Sequence, residues 1–319
     1  MTATTVAHGA KDRPTRTPAP RTPPTRGRPP AGSGGRAPYL FIAPFYVLYT
    51  LFMILPVGAA LVLSLTEWVG LGAPVFVGAD NYAQLAGDTS FHTALLNTGV
   101  YVLVSVLITV PCALFLAQAL NAEGLRARDA FRVAYFVPMV LSPIVIALVY
   151  GLLLDTSYGV LNSVLFALFG TPPLDWLGDP TLAKVAISFV LVWRWVGYLT
   201  IFFLAALQNV PKELYEAAEL DGAGPARRFT AVTLPAIKPV SSFVIVTSFI
   251  GAAQIFDEPY LLTKGGPGEA TLSVSMFVYR AAFERQQFGY AAAAGVVLFA
   301  VVFGVSRLLN RLLGIGSAS

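Results

Sequence analysis

Six long apolar runs limit what this chain can become. They lie at about 41–65, 96–120, 130–154, 182–207, 240–263 and 289–313. The first reads FIAPFYVLYTLFMILPVGAALVLSL and the third AFRVAYFVPMVLSPIVIALVYGLLL. At about 1.5 Å per helical residue, each is long enough to cross a hydrocarbon core of about 30 Å. Composition agrees: 56% of the residues are hydrophobic and 12% charged, with a mean hydropathy of +0.69, where a soluble domain carries about 25% charged residues. The expected fold is all-α and membrane-embedded, with six transmembrane helices. Prolines within the runs, among them Pro56, Pro111, Pro138 and Pro143, predict kinks whose freed backbone groups neighbouring helices satisfy.

Several kinds of chemistry are excluded. The single cysteine, Cys112, forbids an intrachain disulfide framework or a cysteine metal cluster, and reads as a packed residue in its apolar run. Only two histidines occur, His8 and His92. No Gly-Lys pair exists, so the chain has no phosphate-cradling P-loop. TKGGPGEAT, residues 263–271, is glycine-rich but does not fit that pattern and reads as a turn. The chain is not expected to be an enzyme, and any ATP must be handled by another chain.

Residues 1–37 hold Pro, Arg, Thr and Gly without an apolar run, and read as a disordered, solvated basic tail. Lys and Arg concentrate in that tail and at Arg126, Arg128, Arg132, Lys212, Arg227, Arg228, Lys238, Arg307 and Arg311. The opposite side holds Lys184, Lys264, Arg280 and Arg285. The excess of basic residues on one side predicts cytoplasmic N- and C-termini. The outer connections predict a short helix near Asn81–Leu85 and an interfacial helix within 155–180.

The cytoplasmic stretch KELYEAAELDGAGPARRFTAVTLPAIKP, residues 212–239, stands out for its charge. Pro211 suits a first helical turn, Glu213 and Glu216 favour the positive end of the helix dipole, and Gly222, Gly224 and Pro225 supply a stop. Leu214, Ala217, Ala218 and Asp221 share one face by i, i+3, i+4, i+7 spacing. So narrow a face fits a groove in another protein. Leu234–Pro235 and Lys238–Pro239 are expected to break the helical pattern before the fifth run.

The spacing is specific. Glu216-Ala217-Ala218, three residues, Gly222, nine residues, then Val232-Thr233-Leu234-Pro235 resembles the EAA loop of the membrane subunits of bacterial ABC importers, with valine in place of isoleucine. The resemblance implies a type I importer permease fold, with 1–37 as a tail, 38–319 as the permease domain and 208–239 as a coupling loop. In such importers the coupling helix docks in a cleft of the ATP-hydrolysing subunit. Glu213, Glu216, Ala217, Ala218, Asp221, Gly222, Leu234 and Pro235 would then be transmission contacts. Phe256–Asp257, Leu262 to Pro267, Tyr279 to Phe283 and Phe288 to Ala292 resemble the corresponding region of carbohydrate importers of the maltose and oligosaccharide type.

The implied partners are a second, related permease subunit, a dimer of ATP-binding subunits carrying ATP-Mg, and an extracellular solute-binding protein. Membrane lipid surrounds them, the cargo is a di- or oligosaccharide, and no nucleic acid is involved. The implied location is the bacterial cytoplasmic membrane. Arg194, ionisable within a span and flanked by Trp193 and Trp195, is either a functional residue or a structural ion-pair partner. The resemblance adds Trp193, Gly197, Ser248, Ala252 and Ile255, with Gln254 adjacent, as substrate or pore positions. Asp257 and Glu258 either line the pore mouth or pair with Arg194. The same importer class carrying glycerol-3-phosphate or another small solute is the alternative. A secondary transporter, which would show symmetric halves and broken mid-membrane helices, is a remoter one.

Overall fold

The computed structural model describes Thr2, residues 37–122 and residues 128–314. The expected disordered tail up to residue 36 and Arg126 lie outside the described residues, as do the side chains of Arg128 and Arg132. Residues 1–53 form one unit and residues 54–319 a second. The described part of the first is helical, with Pro44 inside the helix and Phe45 stacked on Tyr49.

Among the described residues, five helices are long and apolar enough to cross a membrane. They contain α1 (Tyr39–Leu63), α3 (Thr89–Asn121), α7 (Pro180–Gln208), α10 (Leu234–Ala253) and α13 (Phe288–Leu313). Between α1 and α3 lie strands β1 (Thr66–Glu67) and β2 (Val75–Phe76) and helix α2 (Asp80–Gly87). Between α3 and α7 come α4 (Arg128–Val140), α5 (Pro143–Leu153) and α6 (Val160–Phe169). The segment between α7 and α10 carries α8 (Lys212–Leu220) and the single turn α9 (Pro225–Arg228). After α10 come the short helices α11 (Asp257–Thr263) and α12 (Val274–Tyr279).

The third apolar run is not one kinked helix. Val133–Val140 and α5 meet at 107°. The physical cause is Pro143, which takes the first turn of α5 and holds Ser142 extended at ψ 137. A neighbour cannot mend that junction into one helix, so the pair counts as a sixth, broken span.

Other prolines are absorbed differently. Pro56, Pro111 and Pro235 each follow a one-turn π-helix, at Thr50–Ile54, Ser105–Thr109 and Phe229–Thr233. Proline has no N–H for the carbonyl four residues back and its ring crowds that carbonyl. Widening the turn to i→i+5 bonds lets the helix continue. Leu234–Pro235 and Lys238–Pro239 therefore do not break the helix, as the sequence suggested. α10 begins at Leu234 and runs through Pro239.

The core is built around α7. Ala113 and Ala117 of α3 are fully buried against Leu199, Phe203 and Leu207 of α7, with Ile237 and Val244 of α10 closing the cluster. Small residues let the helix backbones approach, the main source of packing energy inside lipid. Large apolar side chains such as Phe115, Leu152 and Phe299 face outward. Cys112 is exposed on this outer surface, not packed inside. Ala113 beside it is fully buried, so an apolar run alone cannot separate lipid-facing from core positions.

The outer connections are tied down by amides. Asn97 of α3 donates to the carbonyls of Glu269 and Leu272, and the Thr98 hydroxyl accepts from the Val274 N–H. The 263–271 turn closes on itself through the Thr263 and Thr271 hydroxyls. The expected short helix near Asn81 appears as α2 and the interfacial helix as α6. The β1–β2 hairpin was not anticipated.

Candidate functional site

α10 ends at Ala253, and α11 starts only at Asp257. The irregular backbone between them borders a cavity of about 170 Å³ walled by α7 and α10. Non-helical backbone at such a depth is tolerated where it lines a polar cavity. Asp257 and Glu258 thus open a short helix that follows the irregular stretch, near the end of the candidate span Pro225–Thr263.

Arg194 decides the electrostatics here. Its Nη1 lies 2.9 Å from Glu258 Oε1 and 3.5 Å from Asp257 Oδ2. The Arg194 side chain is 12% exposed, Glu258 7% and Asp257 46%. Its guanidinium sits 5.8 Å from the Trp195 ring centroid, within cation–π range, while its Nε–H is buried without a partner. The carboxylates pair with Arg194 and also line this cavity. Because α11 packs on α5 and α7, this triad joins the broken third span to the fourth and fifth.

The remaining expected positions divide. Ser248, Ala252, Gln254 and Ile255 line the cavity. The Ser248 hydroxyl is 2.7 Å from that of Ser105, in the π turn of α3. Trp193 turns away, its ring meeting Tyr150 of α5 edge-on at 5.3 Å. Gly197 also faces elsewhere: a Cβ there would lie 1.7 Å from the Tyr135 carbonyl oxygen, so it is the point of closest approach between α7 and α4. Ser105, Trp195, Tyr198 and Thr247 line the cavity without having been singled out. An i, i+4 reading from Arg194 would have found Tyr198. Ser105 depends on the bulged α3 turn and carries no sequence signal.

The second candidate region is α8 and the chain after it. Gly222 has φ +74, and the Gly222 N–H bonds to the Glu219 carbonyl and the Ala223 N–H to the Ala218 carbonyl. This is a Schellman cap, which requires the left-handed residue that glycine supplies without strain. None of the α8 side chains is buried. Tyr215 and Ala218 are half-buried, and the Tyr215 hydroxyl lies 3.0 Å from Thr233 Oγ1. Leu214, Ala217 and Asp221 of the expected face are exposed, with Glu213 and Glu216 beside them. Ala218 instead belongs to the edge that rests on the chain. Leu234 and Pro235 lie just past the π turn that holds Thr233.

At the outer end, Asp88 caps α3 by accepting from the Phe91 N–H, and its other oxygen accepts from Tyr290 of α13 at 2.7 Å. Partial burial pushes the Asp88 carboxyl up. The bonds from Tyr290, Phe91 and Ser90, with Arg285 nearby, outweigh this and hold it below its ordinary value. Among the described residues no group of three or more His, Cys, Asp or Glu side chains could hold a metal ion.

Residues 109–314 match the family model described as "Binding-protein-dependent transport system inner membrane component". The chain is 40% identical to the lactose transport system permease protein LacF of Rhizobium radiobacter, over 85% of this chain and 91% of that one. It is 36% identical to the arabinooligosaccharides transport system permease protein AraP of Bacillus subtilis, over 87% and 88%. A bacterial alginate ABC transporter, crystallised with an alginate pentasaccharide-bound periplasmic protein, contains a chain that superposes with a TM-score of 0.77 at 23% identity, over 86% and 93% of the two chains. That likeness is one of fold.

Proposed function

The chain belongs to the binding-protein-dependent transport system inner membrane component family, and from that premise we propose that it is one permease half of an ATP-driven importer of di- or oligosaccharides. A second, related permease completes the pore. A separate ATP-binding dimer, carrying ATP-Mg, drives it, and a solute-binding protein delivers the sugar from outside. The distribution of Lys and Arg supports an orientation with both termini and α8 on the cytoplasmic side.

The observation that carries the coupling role is α8 itself: a capped helix with no buried side chain, an exposed Leu214–Ala217–Asp221 face and exposed acids alongside. It is tied to the chain leading into α10 through Tyr215, whose hydroxyl meets Thr233, and through Glu219, which pairs with Arg228. A partner that grips the exposed face moves α10 through the rigid cap and the Tyr215–Thr233 contact.

The cavity supports a neutral cargo. Among the described residues Arg194 is the one cationic side chain lining it, and two carboxylates already engage it. A phosphate would want free cations, so glycerol-3-phosphate is not favoured. A broken helix, the mark expected of a secondary transporter, does occur at α4–α5, yet family membership favours an importer.

The test reconstitutes the chain with its partner permease, ATPase and receptor. Receptor plus sugar stimulates ATP hydrolysis in wild type, and Glu216→Ala or Gly222→Pro abolishes the stimulation or the assembly. Wild-type behaviour in both variants would reduce α8 to a connector.

A further inference from the structure

A second cavity, about 260 Å³, lies between the β1–β2 hairpin, α2 and the start of α13. With six crossings, the connection from α1 to α3 and the connection holding α8 lie on opposite faces of the membrane, so a cytoplasmic α8 places this cavity outside. Its walls are fixed. The Trp68 indole N–H donates to the Gly72 carbonyl, and its ring lies 5.3 Å from that of Phe288. Asn81, only 7% exposed, donates through its amide to the Ser64 and Thr66 carbonyls at 2.9 Å each.

What these walls leave unused is acceptor capacity. Asn81 Oδ1 takes no hydrogen bond from any described residue, although the side chain is more than nine-tenths buried and borders the cavity. The Glu67 and Asp80 carboxylates line the same space, exposed and without a bonding partner among the described residues. Gln84 and Gln287 add to the rim, and among the described residues no Lys or Arg lines it. Three acceptor groups, two of them charged, beside an indole call for a ligand rich in N–H donors and positively charged. A planar guanidinium meets all of these demands: bidentate bonds to carboxylate, a further donor for the amide oxygen, and a face for the ring.

We infer that this cavity is a socket for an arginine side chain of the solute-binding protein that docks on the outer face. Transport in this family depends on such a binding protein, and two uncompensated carboxylates favour a cation over a neutral sugar ring. The inference rests on the importer reading.

The test uses the full chain in lipid nanodiscs, with Nα-acetyl-arginine amide as the probe and its citrulline counterpart, which replaces the guanidinium by a neutral urea, as the control. Saturation-transfer NMR shows binding of the arginine probe, and the citrulline probe is weaker by about tenfold, the ratio lost when a charge-assisted hydrogen bond becomes a neutral one. Glu67→Gln with Asp80→Asn, both exposed positions, lowers arginine binding by a similar factor without changing the melting temperature. In the reconstituted importer the same double variant raises the receptor concentration for half-maximal ATPase stimulation and leaves basal hydrolysis unchanged. Equal binding of the two probes, or no effect of the double variant on the probe or on the receptor, overturns the socket. So does Trp68-dependent saturation transfer from maltose in place of arginine. The probe experiment involves neither ATPase nor receptor, so failure of the importer reading and failure of the socket are told apart.

Discussion

Removing Glu258 exposes how the buried charge at Arg194 is balanced. At an effective dielectric of about 20, unit charges about 3 Å apart attract by about 5 kcal/mol, but water reduces an exposed pair to about 0–1 kcal/mol. Glu258 is 7% exposed at 2.9 Å from Nη1, and Asp257 is 46% exposed at 3.5 Å. Removing one partner of a buried pair costs about 3–5 kcal/mol, because the other charge is stranded. Asp257 remains as partial compensation, so Glu258→Ala falls near the lower end, about 3 kcal/mol, while Asp257→Ala costs about 1 kcal/mol or less. The double variant Arg194→Met/Glu258→Leu removes both charges with similar side-chain volume, and destabilises less than Glu258→Ala alone. Denaturant unfolding of wild type, these three variants and the single variants Arg194→Met and Glu258→Leu in nanodiscs measures all of these differences. If Asp257→Ala matches Glu258→Ala, burial does not control the pair. If the double variant is as unstable as the summed single substitutions, Arg194 and Glu258 are not coupled.

Gly197→Ala places a Cβ 1.7 Å from the Tyr135 carbonyl oxygen; forcing α4 and α7 apart costs about 1–3 kcal/mol or more. Gly151→Ala, with nothing within 4 Å, is the control, and equal melting temperatures for the two would refute the close approach. Asp88→Asn loses stability at neutral pH through the Tyr290 and helix-cap bonds. Because the folded carboxyl is held below its ordinary 3.8, that contribution is present above the unfolded value and disappears as pH falls through the lower, folded one. A gap between wild type and variant that stays constant from about pH 7 to pH 3 contradicts this assignment.

Much of the architecture was legible because hydrophobic length and charge are local quantities. The apolar runs, the short helix at Asn81–Leu85, the interfacial stretch and the Gly222 stop are all properties of a few adjacent residues. The cap shows why Gly222 stands at its place: only one position in that turn has φ +74. Proline was read less well. Every proline removes the same N–H, but Pro143 fell where the preceding residue could extend, and the run broke there. Pro111 and Pro235 fell after turns that could widen, and the helices ran on. Whether a turn widens or breaks depends on what packs against it, and that information is not in the turn. Trp193 and Gly197 were named by the resemblance, yet here Trp193 packs on Tyr150 and Gly197 lies against the Tyr135 backbone, away from the Arg194 cavity. Tyr198, one turn on from Arg194, shares its cavity.

By itself the sequence determined that the chain is a bundle of membrane spans, that it carries no phosphate-binding loop of its own, and that a charged, glycine-capped helix stands between the fourth and fifth runs. Those follow from composition, absence of a motif and spacing, which no fold can alter. Only the tertiary structure decided that Arg194 is neutralised by both Asp257 and Glu258, residues 63 and 64 positions further on. It also decided that Ser105 meets Ser248, and that Asn81 shares a cavity with Glu67 and Asp80. The physical reason is the same each time. Inside a membrane the apolar surface is nearly uniform, so the few polar groups find their partners only where packed helices bring distant segments together.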